Sequence, residues 1–284
     1  MTSAPGDGRR PGGLWYHRGM PRLALLVLAL LGVLACGCPK GSSKRPYPEP
    51  TVDELLGRIA ATRDGVSSFS AETVMDYWMN DQRVKGVVLV MGTTGSKVRI
   101  NALSPAGNDP IADLACDGID YAFTDKNKNC QLSGPCSKET IAALFNIALA
   151  PDDFVQLAIG ASPVVAGATG TVRWDEKAGK EVLELTGEDG RTQTIVLDAR
   201  DGHADIVSSE VKRDGAQEWR IDNTDFTTLT DENKLQRRVP GKSRFRSPGE
   251  KADLLVDWKE RKLDLPLGPE KFVLEVDPGI ARCQ

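Results

Sequence analysis

The chain has 284 residues, of which 36 are Lys or Arg and 40 are Asp or Glu, giving a formal net charge of −4. This mild acidity, with no basic tract, lacks the electrostatic footprint that nucleic-acid binding requires. At 40% hydrophobic residues, the chain can build one large domain with a substantial core.

The N-terminal segment reads as an export signal. Arg22 is followed by the uncharged apolar run Leu23–Ala35, too short for a membrane span of ~20 residues and of the length of a signal-peptide apolar region. The run ends in Val33-Leu34-Ala35-Cys36. This resembles the lipobox of bacterial lipoproteins, which implies cleavage before Cys36 and lipidation of its thiol. Met20-Pro21-Arg22 makes a normal signal start, so Met20 is a candidate initiator. Residues 1–35 are therefore expected to be removed. Residues 36–50, rich in Pro, Gly, Ser and Lys, read as a lipidated cysteine followed by a flexible tether, and residues 51–284 as the folded domain. Gly37 follows Cys36 where an Asp would retain the protein at the inner membrane in enterobacteria. By that resemblance the destination is the outer membrane, with the domain facing the periplasm.

In an oxidising compartment thiols pair. With Cys36 assigned to lipid, Cys38, Cys116, Cys130, Cys136 and Cys283 remain. Cys130 and Cys136 flank Gln-Leu-Ser-Gly-Pro, read as a tight loop, and are the first pair expected, with Cys116 competing for either partner. The odd count leaves one thiol over. No C-x-x-C or neighbouring His supports a metal site.

Thr51-Val-Asp-Glu54 is a capping box, and Val52, Leu55, Leu56, Ile59 and Ala60 follow at helical spacing. Strands are expected at 68–79, 83–91, 97–103, 111–116 and 119–124, separated by short polar turns. Ser137 then caps a helix carrying Ile141, Leu144, Phe145 and Ala148, and Pro151-Asp152-Asp153 starts a second helix carrying Phe154, Leu157 and Ala158 and ending at Gly160. Strands resume at 170–175, 181–186, 192–198, 206–213, 218–227, 252–263 and 271–276, with turns at Ala178-Gly179, Asp189-Gly190, Asp201-Gly202 and Asp214-Gly215. Such a meander must curl into an open or closed barrel.

Three stretches resemble the LolA/LolB-like superfamily of lipoprotein-sorting carriers and receptors: Lys97–Gly107 with its Ser-Pro-Ala-Gly turn, Cys116–Phe123, and the apolar segment through Leu157–Pro163. The resemblance spans about Thr51 to Ile280. It implies a mainly β fold with helices, in which an incomplete antiparallel barrel of about 11 strands is closed by a helical lid over an acyl-binding cavity. Val88, Val90, Ile141, Leu144, Phe145, Phe154, Leu157, Trp258 and Leu274 become the candidate cavity and lid residues, against the simpler reading that each is ordinary core. Arg99 becomes the candidate for the strand arginine that hydrogen-bonds the lid in the carriers, against a solvated strand arginine. The implied partners are a lipid or acylated lipoprotein, the membrane through the N-terminal lipid, and a periplasmic carrier protein.

Enzymatic signals are missing. His203, the one histidine after Cys36, lies in the polar turn Asp201-Gly202-His203. No G-x-S-x-G elbow, phosphate loop or dinucleotide glycine pattern is present, and no cofactor is implied. The expectation is a lipid-anchored protein that binds apolar chains. The alternative is a structural or regulatory lipoprotein acting through protein contacts.

Overall fold

The computed structural model describes residues 43–79, 82–104, 109–137, 139–140, 150–249 and 251–283. Residues Ser43–Gln284 form a compact unit. Its first helix, α1 (Val52–Asp64), begins at the expected capping box. The Thr51 hydroxyl accepts from the Glu54 amide at 3.1 Å, and the Glu54 carboxylate accepts from the Thr51 amide at 2.8 Å. Leu55 and Ile59 are the buried residues of its apolar stripe.

A run of strands follows: β1 (Ser68–Met79), β2 (Gln82–Thr93), β3 (Lys97–Leu103), β4 (Pro110–Asp117), β5 (Asp120–Asp125) and β6 (Cys130–Pro135). Helix α2 (Pro151–Ile159) then precedes β7 (Thr169–Asp175), β8 (Lys180–Thr186), β9 (Thr192–Asp198), β10 (Asp205–Arg213) and β11 (Ala216–Thr224). The chain continues through β12 (Thr227–Thr230), β13 (Gln236–Val239), β14 (Lys242–Ser247), β15 (Ala252–Leu263) and β16 (Ala281–Arg282). Turn chemistry accounts for the meander. Asp214 and Gly215, for example, both hold positive φ (50° and 80°) between β10 and β11, as the tightest hairpins require.

Among the described residues one 14-stranded sheet runs in the order β16-β6-β5-β4-β3-β2-β1-β15-β14-β11-β10-β9-β8-β7. Every pairing is antiparallel except β16 with β6. β16 and β7 stay unpaired on their outer sides, so the barrel is incomplete, as expected. Strands β6, β12, β13, β14 and β16 were not anticipated. The segment read as a strand at 271–276 is instead a 3-10 turn, Pro269–Phe272, followed by extended chain.

Period-two alternation builds two cores. One joins the inner faces of β1–β4, β11, β14 and β15 to α2, through Phe69, Val88, Val90, Leu114, Leu157, Phe245 and Trp258. The other packs Leu55 and Ile59 of α1 onto Leu183, Leu185, Ile195 and Leu197. The outer face of β3 and β4 is also covered. The C-terminal segment crosses it with Phe272, 1% exposed, and Gln131 accepts from the Asp277 amide at 3.1 Å.

The covalent framework corrects the expected Cys130–Cys136 bond. The disulfides are Cys116–Cys136 and Cys130–Cys283. Gln131–Pro135 is not a loop but the body of β6, and an extended strand of that length holds its ends roughly 20 Å apart, far beyond disulfide reach.

The expected tether also differs. Residues 43–49 pack along the β7–β8 hairpin: the Ser43 amide donates to Glu176 O at 2.9 Å, and Tyr47 meets Trp174 edge-on at 6.0 Å. The Arg45 guanidinium donates to both oxygens of Glu181, at 2.8 and 3.1 Å, and the Glu181 side chain is wholly buried.

Candidate functional site

An apolar cavity of about 330 Å³ lies on the concave face of β1–β3 and β15. The register explains which residues line it. Met75 and Tyr77 on β1 stand opposite Gly86 and Val84 on β2 and opposite Val256 and Leu254 on β15. Directly paired residues share a face, so all of these project to the same side. Val88 and Leu254 form part of the wall, Ile100 and Ala102 of β3 extend it, and Phe154 of α2 closes one end. The space exists because side chains are missing there: Gly86 has none, and a Cβ built on it would meet nothing within 4 Å.

Helix α2 is fixed at both ends. At its start the Asp152 carboxylate accepts from the Ser96 amide at 2.6 Å and the Ser96 hydroxyl at 3.1 Å, in the turn between β2 and β3. Asp153 accepts from the Ala150 amide at 2.7 Å. The acidic pair therefore does more than favour the helix dipole. At its end Gly160 adopts the left-handed conformation (φ 75°), and its carbonyl accepts from Asn223 at 3.2 Å.

One further tie was not anticipated. Arg261 of β15 donates to Ala158 O in the last turn of α2 and to Pro240 O at 2.6 Å, with its guanidinium 4.9 Å above the Trp258 ring. Burial lowers its pKa to about 10. A β-bulge turns this residue inward. The β1–β15 register shifts between Glu72 and Thr73, so Trp258 pairs Thr73 whereas Arg261 pairs Ala71. Alternation from Leu254 would otherwise have pointed Arg261 outward.

Arg99, expected at the lid, is held elsewhere. Its guanidinium grips the Asp113 carboxylate at 3.1 and 2.6 Å and donates to Lys271 O at 3.1 Å, on the outer face under the C-terminal segment. Leu274 sits in that same segment, beside Ala122 and Ser133, and does not line the cavity. Of the other candidates, Val88 and Phe154 line it. Val90, Leu157 and Trp258 are packed core, and the Trp258 indole donates to the Ser243 hydroxyl at 3.1 Å. Ile141, Leu144 and Phe145 lie outside the described residues, as does Cys36. The cap expected at Ser137 is present, its hydroxyl accepting from the Thr140 amide at 3.3 Å. Met75, Tyr77 and Ile100 were missed. Their alternation along β1 and β3 could have found them.

Among the described residues no group of three or more His, Cys, Asp and Glu side chains is placed to hold a metal.

The fold is shared with solved structures. A LolA superfamily protein from Nitrosomonas europaea superposes with a TM-score of 0.50 at 13% identity, over 80% of this chain and 99% of that one. The fold is LolA/LolB-like. A DUF1329 family protein from Desulfovibrio piger gives 0.51 at 14% identity, over 78% and 95% of the two chains. At such identities the likeness is one of fold. No protein-family model matches the chain, and no curated protein matches its sequence. Within the LolA/LolB-like fold, then, the cavity must be read from this chain's own residues.

Proposed function

We propose that this chain is a lipoprotein anchored through Cys36 to the outer membrane, facing the periplasm, which binds acyl chains or another apolar ligand and serves lipid or lipoprotein localisation. The observation that carries this reading is the cavity. Its volume of about 330 Å³ falls within the range of ligand pockets, roughly 300–1,000 Å³. Each methylene buried against Met75, Val88, Ile100 and Leu254 contributes about 0.8 kcal/mol, so an acyl chain binds there by area alone. The lipobox-like sequence at Cys36 supports the anchor, and the resemblance of Lys97–Gly107, Cys116–Phe123 and Leu157–Pro163 to the LolA/LolB-like superfamily supports the class of cargo. A periplasmic carrier is the partner this reading implies.

Native mass spectrometry tests it, on the 43–284 unit exported without its anchor and purified from the periplasm without harsh delipidation. A co-purifying lipid or acylated peptide is expected, and Gly86→Leu should abolish its retention while leaving the fold intact, because the added side chain enters empty space. A clean apo mass with no uptake of a fluorescent acyl probe would overturn the reading. It would leave a structural or regulatory lipoprotein acting through protein contacts.

A further inference from the structure

Tyr77 is the polar exception in the cavity wall. It lies on β1 between Asp76 and the exposed Trp78, and its register opposite Val84 and Leu254 places it on the concave face. Its hydroxyl is out of contact with solvent and has no hydrogen-bond partner among the described residues. Burial alone pushes the phenol pKa up to about 12, so the group stays a neutral donor at physiological pH. A buried hydroxyl without a partner carries its full desolvation cost. Phenylalanine at this position would fill the same space without that cost. The hydroxyl is the one such orphan among the described residues lining the cavity.

We infer that the Tyr77 hydroxyl is the ligand's hydrogen-bond donor, selecting chains that present a carbonyl at the head of the apolar tail, that is, ester- or amide-linked acyl chains over ether-linked or plain alkyl chains. The inference rests on the acyl-binding reading above and narrows it. An apolar wall cannot distinguish an acyl from an alkyl chain, because both bury the same methylenes. A site built around a hydrogen bond can, because the ligand lacking the acceptor leaves the donor unpaired. Two natural sources share this chemistry, the ester-linked tails of phosphoglycerides and the diacylglyceryl-cysteine of lipoproteins.

The test uses the 43–284 unit, which contains both cores and both disulfides. Displacement of a fluorescent apolar probe is measured with short-chain phosphatidylglycerol below its micelle concentration, in ester-linked and ether-linked forms, and with a diacylglyceryl-cysteine peptide. The ester form should compete about fivefold better than the ether form, the worth of one net hydrogen bond. Tyr77→Phe should remove that preference while leaving ether binding unchanged or improved. The infrared carbonyl stretch of a 13C-labelled ester should shift to lower frequency in the wild type and not in the variant. Whichever ester, phosphoglyceride or lipopeptide, competes better identifies the source, and either supports the inference. Equal binding of ester and ether, or an ester preference that survives Tyr77→Phe, would overturn it while the acyl-binding reading stands. Failure of every chain to displace the probe, with no probe uptake, would sink both.

Discussion

Arg261 illustrates what a single side chain does in this fold and why its role is hard to read in advance. A guanidinium on the concave face costs solvation, and here its bonds run to the backbone carbonyls of Ala158 and Pro240, not to a carboxylate. Replacing it with methionine keeps the stem over Trp258 and leaves those two carbonyls unpaired. The two effects oppose, so Arg261→Met should change global stability by less than about 2 kcal/mol. Local opening of α2 should become easier by roughly 1–3 kcal/mol, so that its C-terminal amides exchange with solvent about five- to 150-fold faster. Hydrogen-exchange mass spectrometry over 151–160 reads this directly, and unchanged protection there would show that the arginine does not hold the helix. The resemblance points to Arg99, and nothing in the sequence marks Arg261. Only the bulge at Glu72/Thr73, which leaves no compositional trace, turns Arg261 towards α2. Cavity residues such as Val88 and Phe154 were legible because alternation and helical spacing place apolar groups inward. Whether an inward residue meets packed core, as Val90 does, or empty space, as Val88 does, depends on what lies over the glycine two residues away: Phe69 and Val155 cover Gly92, and nothing covers Gly86.

At the scale of elements, the strap of residues 43–49 shows composition giving the wrong answer for a physical reason. Pro, Gly, Ser and Lys cannot form a core of their own, but a segment can dock on a core that already exists if it supplies the right two or three groups. Arg45 and Tyr47 do so, and they meet Glu181 and Trp174, more than a hundred residues downstream. No local pattern encodes that meeting. Arg45→Ala leaves the wholly buried Glu181 carboxylate without its counter-charge and should cost about 3–5 kcal/mol. Adding Glu181→Gln should restore most of the loss. Urea unfolding of the two variants decides the matter, and an Arg45→Ala protein as stable as the wild type would mean that the strap contributes nothing. The helices were more legible, since capping boxes and a left-handed glycine are local devices. Strand β14 was not: Lys-Ser-Arg-Phe-Arg-Ser turns Ser243, Phe245 and Ser247 inward, and Ser243 bonds Asn223 and receives the Trp258 indole, so a single phenylalanine is the whole apolar signal of the alternation.

For the whole molecule, the open barrel was legible in the density of turn residues, and the strand count was not, because short polar strands such as β12 and β13 read as loop. The disulfides were beyond sequence reasoning, since their partners are set by which strands pair. They also differ in what they contribute. In the chain-entropy account, closing the long loop from Cys130 to Cys283, a separation of 153 residues, stabilises by about 5 kcal/mol. The short loop from Cys116 to Cys136, a separation of 20, contributes about 3 kcal/mol. Denaturant midpoints should therefore fall further for Cys130→Ala/Cys283→Ala than for Cys116→Ala/Cys136→Ala, and the reverse order would show that packing around Cys116 outweighs loop closure.

The order of these four cysteines along the chain has a further consequence. The two bonds interleave, with Cys130 lying inside the loop that Cys116 and Cys136 close. A chain that enters an oxidising compartment from its N-terminus presents Cys130 to Cys116 and then to Cys136 long before Cys283 arrives. Pairing in order of arrival would join neighbours and produce a non-native framework. The native pattern is reached only if Cys130 is kept waiting, or is released from a wrong partner, while 153 more residues emerge. On the export proposed above, biogenesis of this protein should thus depend on a thiol-disulfide isomerase as well as on an oxidant.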